Sequence, residues 1–80
     1  FITREQAALI LYRYAKFKGY DTTIAKTAEY TDSADISDYA REAVNWASDK
    51  GIMSGYENVF APKDNITRAQ AAAVFTKLSD

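Results

Sequence analysis

The stretch ITRAQAA at residues 66–72 occurs twice in this chain: residues 2–8 read ITREQAA, and only Glu5 in place of Ala69 breaks the match. A block that returns at a fixed interval, here 64 residues, marks a repeat architecture in which each copy is one supersecondary unit that buries its apolar face against its neighbours. Each copy also reads as a helix start. Thr3 and Thr67 are good N-caps, and Gln6 and Gln70 three residues later complete a capping box. Ile2 and Ile66 fall at the position of a hydrophobic staple, with the small partners Ala7 and Ala71. Arg4 and Arg68 do not fit. The first helical turn carries the positive end of the macrodipole, and a basic side chain there costs a few tenths of a kcal/mol up to roughly 1. A misplaced arginine in both copies calls for a partner, and an anion is the natural one. The plainer alternative is a surface arginine paired with a nearby acid such as Asp64 or Glu5.

Outward from the first copy, Ala7, Ile10, Leu11, Tyr14 and Phe17 follow the spacing of an amphipathic helix, and Gly19 offers a stop, which predicts a helix over 4–18. Residues 20–33 lack a clear period and read as a connector, with one helical turn at most around 22–28. Ser37 or Asp38 then caps a second helix through Lys50. Its stripe is Ala40, Ala43, Val44 and Ala47, with Tyr39 and Trp46 beside it. Gly51 supplies a left-handed stop and Ile52 the hydrophobic contact of a Schellman motif. Gly55, Pro62 and the polar run Lys63, Asp64, Asn65 exclude regular helix between 51 and 65. Ile52, Met53, Tyr56, Val59 and Phe60 are too apolar for a loose linker, so this loop packs down. The second copy opens a third helix over 68–78, with Ala71, Ala72, Phe75 and Leu78 facing inward. The fold expected is all-α: a small three-helix, bundle-like unit with a long packed loop between helices two and three.

Eighty residues with 48% hydrophobic and 26% charged content describe one small globular domain. A net charge of −1 with interspersed signs gives no nucleic-acid footprint and no polybasic membrane patch. No segment approaches the roughly 18 apolar residues of a membrane span. With no Cys and no His, thiol nucleophiles, imidazole bases and the commonest zinc ligands are absent, and no cofactor is implied. The opening Phe1 suggests a piece of something longer. Asp32, Asp35 and Asp38 lack the alternating ligands, central Gly and terminal Glu of an EF-hand, and read as capping and solubilising residues. Trp46 reads as packing. Tyr39 is either core or a ligand platform.

In order and spacing these features resemble the S-layer homology (SLH) family. The counterparts of its repeat are Tyr30 and Asp32, then Tyr39, Ala40, Ala43 and Val44, then Gly51, Ile52 and Gly55, then Phe60 and Pro62, and last the run from Ile66 to Gln70. The chain departs from the family pattern at Tyr39, Gln6, Gln70, Glu57 and Asn58. The resemblance divides the chain into a closing helix of a preceding repeat (1–19), a connector (20–29) and one complete repeat (30–80). It implies a non-catalytic, extracellular anchor at the bacterial cell surface. Its partner would be an anionic, often pyruvylated, cell-wall polysaccharide, and neighbouring repeats or further copies of the chain would cover its exposed sides. The family's arginine role falls on Arg4 and Arg68, beside Thr3 and Thr67. Asp32, Tyr39 and Gly55 match positions that help line the groove. Two other classes compete with this reading. One is a protein-interaction or structural module without carbohydrate binding. The other is a carboxylate-dependent glycosidase, which needs two facing acids about 5 to 10 Å apart, and no such pair stands out.

Overall fold

A computed structural model describes residues 2–24, 30–53, 55 and 58–79. Three α-helices carry the fold: α1 (Arg4–Lys18), α2 (Arg41–Asp49) and α3 (Arg68–Ser79). Two 3-10 turns, Ser33–Asp35 and Asp38–Ala40, lead into α2. Among the described residues there is no strand; an isolated antiparallel bridge joins Thr3 and Asn65. Among the described residues no helix is long and apolar enough to cross a membrane.

The helix ends follow from local chemistry. Both capping boxes form: Gln6 and Gln70 donate their amides to Thr3 and Thr67 Oγ1, while the glutamine carbonyls accept from the threonine amides. The end of α2 is a full Schellman pair, with Ile52 N–H to Ala47 O at 2.9 Å and Gly51 N–H to Ser48 O at 3.2 Å. Gly51 holds φ at +71°. The same two bonds recur at the end of α1, from Tyr20 to Ala15 and from Gly19 to Lys16.

The core lies between α1 and α2, which form the main helix pair, while α3 makes a smaller contact with α1. Ala40, Ala43, Val44 and Ala47 are all buried, and the small alanines bring the two backbones close. Trp46 is buried, packs against Tyr12 with ring centroids 5.4 Å apart, and donates its indole N–H to Asp21 O. The loop after Gly51 does pack down: Ile52, Met53, Phe60 and Ile66 are all in the core.

Two expectations about facing and one about a helix start are corrected. On α1 the buried set is Ala7, Ala8, Leu11, Tyr12 and Ala15, whereas Ile10 and Tyr14 are half exposed and Phe17 is 85% exposed. The stripe is turned by about one residue, because Tyr12 offers Trp46 a ring partner and small Ala8 and Ala15 allow close approach to α2. Helix α2 proper begins at Arg41 and not at a Ser37 cap, since the Ser37 hydroxyl is spent elsewhere, on Glu5. On α3, Val74 is buried and Ala71 partly so, while Ala72 and Phe75 are exposed. The side chain of Leu78, the middle of the expected turn at 22–28, and Tyr56 and Glu57 lie outside the described residues.

Candidate functional site

The start of α1 is held by the loop at 60–65. Arg4 N–H donates to Asp64 O at 2.8 Å, Glu5 N–H to Pro62 O at 3.1 Å, and Ile66 N–H to Ile2 O at 2.9 Å. Together with the Thr3 cap, these bonds occupy the first-turn donors of α1. An anion would therefore find no open first-turn amide in this copy.

The misplaced Arg4 also has its offset inside the chain. Its Nε donates to Phe60 O at 2.8 Å, and its guanidinium carbon sits 4.9 Å from the centre of the Phe60 ring. Burial lowers the guanidinium pKa, and Tyr30, Asp64 and Asp32 pull it back up. An arginine in such surroundings keeps its charge at neutral pH.

Arg4 lines an open cleft of about 320 Å³ shared with Val59, Phe60, Ala61, Asp64, Asn65, Thr67 and Gln70. A second hollow of about 160 Å³ adjoins it across Arg4 and Gln70, and Ile52, Met53, Val74 and Lys77 line its far side. The cleft thus has a cation, a carboxylate, two primary amides and an apolar wall. Such a set can pair an acid group and several hydroxyls while an apolar sugar face lies on Val59 or Phe60.

The loop wall of this cleft is fixed from behind by Asp32. Its two carboxylate oxygens accept from Phe60 N–H at 3.0 Å and Ala61 N–H at 2.8 Å. Ala61 there has φ of +57°, a left-handed conformation that a non-glycine residue adopts at some cost. Gly55 supports the same wall, because a Cβ on it would run into the Val59 carbonyl and the Tyr30 ring. The Tyr30 hydroxyl accepts from Gly55 N–H and pairs with Ser48, and its ring packs on Phe60 at 5.3 Å.

Of the residues singled out in the sequence, Arg4 and Thr67 come together in the cleft, with the Thr67 hydroxyl also serving as a cap. Asp32 and Gly55 stand behind its wall and not among the lining residues. Thr3 caps α1. Tyr39, 57% exposed, lies on the other side of the helix start and donates its hydroxyl to Glu5 at 3.1 Å. Arg68 is exposed and lines neither hollow. Asn65, Gln70 and Lys77 were not expected to line the site. The sequence reads Gln70 as half of a capping box and as the end of the family's helix-start motif, and Asn65 as loop.

Glu5 was missed altogether as a structural centre. It is 2% exposed and accepts from Ser37 N–H at 2.9 Å, Ser37 Oγ at 2.7 Å, Tyr39 Oη at 3.1 Å and Lys63 Nζ at 2.9 Å. Burial alone would raise its pKa, but the Ser37 amide and hydroxyl, Lys63 and Tyr39 outweigh it and bring the carboxyl down to about 2. The only signal in the sequence was the mismatch between the two heptapeptides. Among the described residues no three acids gather as a metal site would require.

Comparison with known proteins gives one consistent result. The model of the S-layer homology domain matches residues 29–72, a little over half of the chain. An amylopullulanase of Thermoanaerobacterium thermosulfurigenes is 43% identical over 91% of this chain, and cell surface glycoprotein 1 of Acetivibrio thermocellus is 38% identical over 91%. The surface-layer 125 kDa protein of Lysinibacillus sphaericus is 43% identical over 66%. The chain spans only 4%, 3% and 5% of the lengths of these three relatives. No solved structure matches it.

Proposed function

The chain belongs to the S-layer homology domain family, and from that premise we propose that it anchors its parent protein at the bacterial cell surface by binding an anionic, pyruvylated cell-wall polysaccharide. The relatives differ in what their names say they do: one is named as an enzyme and two as surface proteins. What this small segment shares with all three is membership of a non-catalytic cell-surface module. The parent's own activity and cargo lie outside it.

The observation that carries the reading is the cleft in which the Arg4 guanidinium, Asp64, Asn65 and Gln70 face a common space beside Val59 and Phe60. A ketal carboxylate would sit beside Arg4, where charge-assisted bonds to a planar fork are strong. Sugar hydroxyls would donate to Asp64 and the amide carbonyls. Asp32 and Gly55 act by holding the wall, and Tyr39 by its exposed ring next to the helix start. Arg68 takes the same part only where a further repeat brings a loop like 60–65 over α3.

The test is titration of the chain with cell-wall polysaccharide before and after removal of acidic ketals, using the wild type, Arg4→Lys, Asn65→Ala and Arg68→Ala. Loss of binding with the ketal, at least a tenfold weakening in Arg4→Lys, and less than a threefold change in Arg68→Ala are expected. Equal binding to both glycan forms would overturn the proposed ligand chemistry. Binding to neither form would favour a protein-interaction module, for which the half-exposed Ile10 and Tyr14 and the exposed Phe17 on one face of α1 are the specific observation.

A further inference from the structure

The two heptapeptide copies open helices that bury different faces, although Ala7 and its counterpart Ala71 both face inward. At the offset of 64 residues, Ala8, Leu11 and Tyr12 of α1 correspond to Ala72, Phe75 and Thr76 of α3. The first three are buried against α2, and the second three are exposed. Conversely Ile10, half exposed on α1, corresponds to Val74, which is buried. Helix α3 therefore presents outward Ala72, Phe75 and Thr76 at the register positions by which Ala8, Leu11 and Tyr12 seat α1, the alanine alone being the same. Without displacing Val74 it could offer that surface to the seat of a second molecule. The seat has two parts: the α2 side around Val44 and Trp46, and the loop at 60–65.

Within the opening heptapeptide, one position separates the two helices. Glu5 fills a polar recess formed by the Ser37 amide and hydroxyl, the Tyr39 hydroxyl and the Lys63 ammonium. The corresponding residue of α3 is Ala69, which is exposed and has no group to accept from any of them. A helix with alanine there would leave the Ser37 amide and hydroxyl without their acceptor and Lys63 without its carboxylate; the cost falls on the part-buried Ser37 amide, since the Lys63 and Tyr39 side chains are more than half exposed.

We infer that the recess of Ser37, Tyr39 and Lys63 is a selectivity lock for the order of repeats: it accepts a closing helix that carries glutamate after the arginine and rejects helix α3, whose opening heptapeptide differs only there. The partner class is a helix of the type ITR-Glu-QAA, supplied in this chain by its own residues 2–18. Specificity of this kind uses an unsatisfied polar group against the wrong partner as much as an attraction to the right one. The lock does not depend on glycan binding, and a chain that binds no polysaccharide still tests it.

The experiment places the key on the wrong helix in the full chain. Sedimentation velocity, run up to roughly millimolar protein to compete with the linked α1, compares wild type, Ala69→Glu, Glu5→Gln, the double variant Glu5→Gln/Ala69→Glu, and Ala69→Glu/Lys63→Ala. Ala69→Glu should associate at least tenfold more tightly than wild type, the double variant more tightly still, and Lys63→Ala should return association to the wild-type level. Association of Ala69→Glu within twofold of wild type, or association indifferent to Lys63, overturns the lock. Wild type that already exchanges helices in a Lys63-dependent way overturns it too. If Glu5→Gln fails to fold, Ala69→Glu with and without Lys63→Ala decides alone, since Ala69 is exposed and its replacement leaves α1 untouched.

Discussion

Replacing Glu5 with Gln removes a charge from a site that is 2% exposed and receives four hydrogen bonds, one of them from a backbone amide. The variant should lose about 1–3 kcal/mol at neutral pH, read as a lower urea midpoint with unchanged slope. The pH dependence has a definite sign. The carboxyl pKa is lowered from 4.5 in the unfolded chain to about 2 in the fold, so the unfolded state takes up the proton first. Stability from this group is complete above about pH 4.5 and fades as pH falls toward 2, by about 3 kcal/mol at most. Urea midpoints of wild type should drop through that window, and those of Glu5→Gln should drop less; parallel curves would show that other carboxylates dominate. Asp32 acts at the same scale: Asp32→Ala leaves the Phe60 and Ala61 amides without acceptors. It should cost about 1–3 kcal/mol and also weaken glycan binding, although Asp32 is not in the cleft. Neither role was legible in the sequence. The partners of Glu5 lie 32, 34 and 58 residues away, beyond any local pattern.

At the scale of elements, most of the helix ends set within one turn stand, whereas the facing of α1 and α3 does not. The bounds of α1, both capping boxes and the stop at Gly51 depend on residues within one turn, and they stand as expected. The inward faces of α1 and α3 depend on which neighbour each helix meets. Apolar residues ring α1 almost completely, with Ile10, Leu11, Tyr12 and Tyr14 in near succession, so periodicity alone fixed no single stripe. The cleft was half legible for the same reason: Arg4 stood out as an anomaly of a helix start and Thr67 as a family site position, while Asn65 and Gln70 had adequate local explanations. The turn residues give a matched pair of tests. A Cβ at Gly51 meets nothing within 4 Å, so Gly51→Ala costs only the left-handed backbone, about 1–2 kcal/mol. Gly55→Ala instead forces the Val59 carbonyl and the Tyr30 ring apart and should be the worse of the two. Chemical denaturation of both variants checks the order, and glycan titration should show a binding loss for Gly55→Ala beyond that of Gly51→Ala.

At the scale of the molecule, the repeat boundary suggested by the sequence does not coincide with a packing boundary. Helix α1 reads as the closing helix of an earlier repeat, yet Ala8, Leu11, Tyr12 and Ala15 bury themselves in the core together with Val44 and Trp46. Burying Leu11 and Tyr12 alone contributes on the order of 1.5–3 kcal/mol each. Domains of this class have about 5–15 kcal/mol in total. Removing residues 1–19 therefore takes away one wall of the core, the Glu5 cluster and the bonds that hold the loop at 60–65. A chain reduced to residues 20–80 should be largely unfolded at room temperature, with Trp46 emission at the wavelength of solvated indole and no cooperative melt by circular dichroism. A cooperative transition within a few degrees of the full chain would mean that α2, α3 and the packed loop suffice without their borrowed helix. The physical case points the other way, because a repeat unit whose apolar face is covered by its neighbour's helix has no complete core of its own. Anchoring and folding are then one problem in this molecule: the helix start that places Arg4 in the cleft also closes the core.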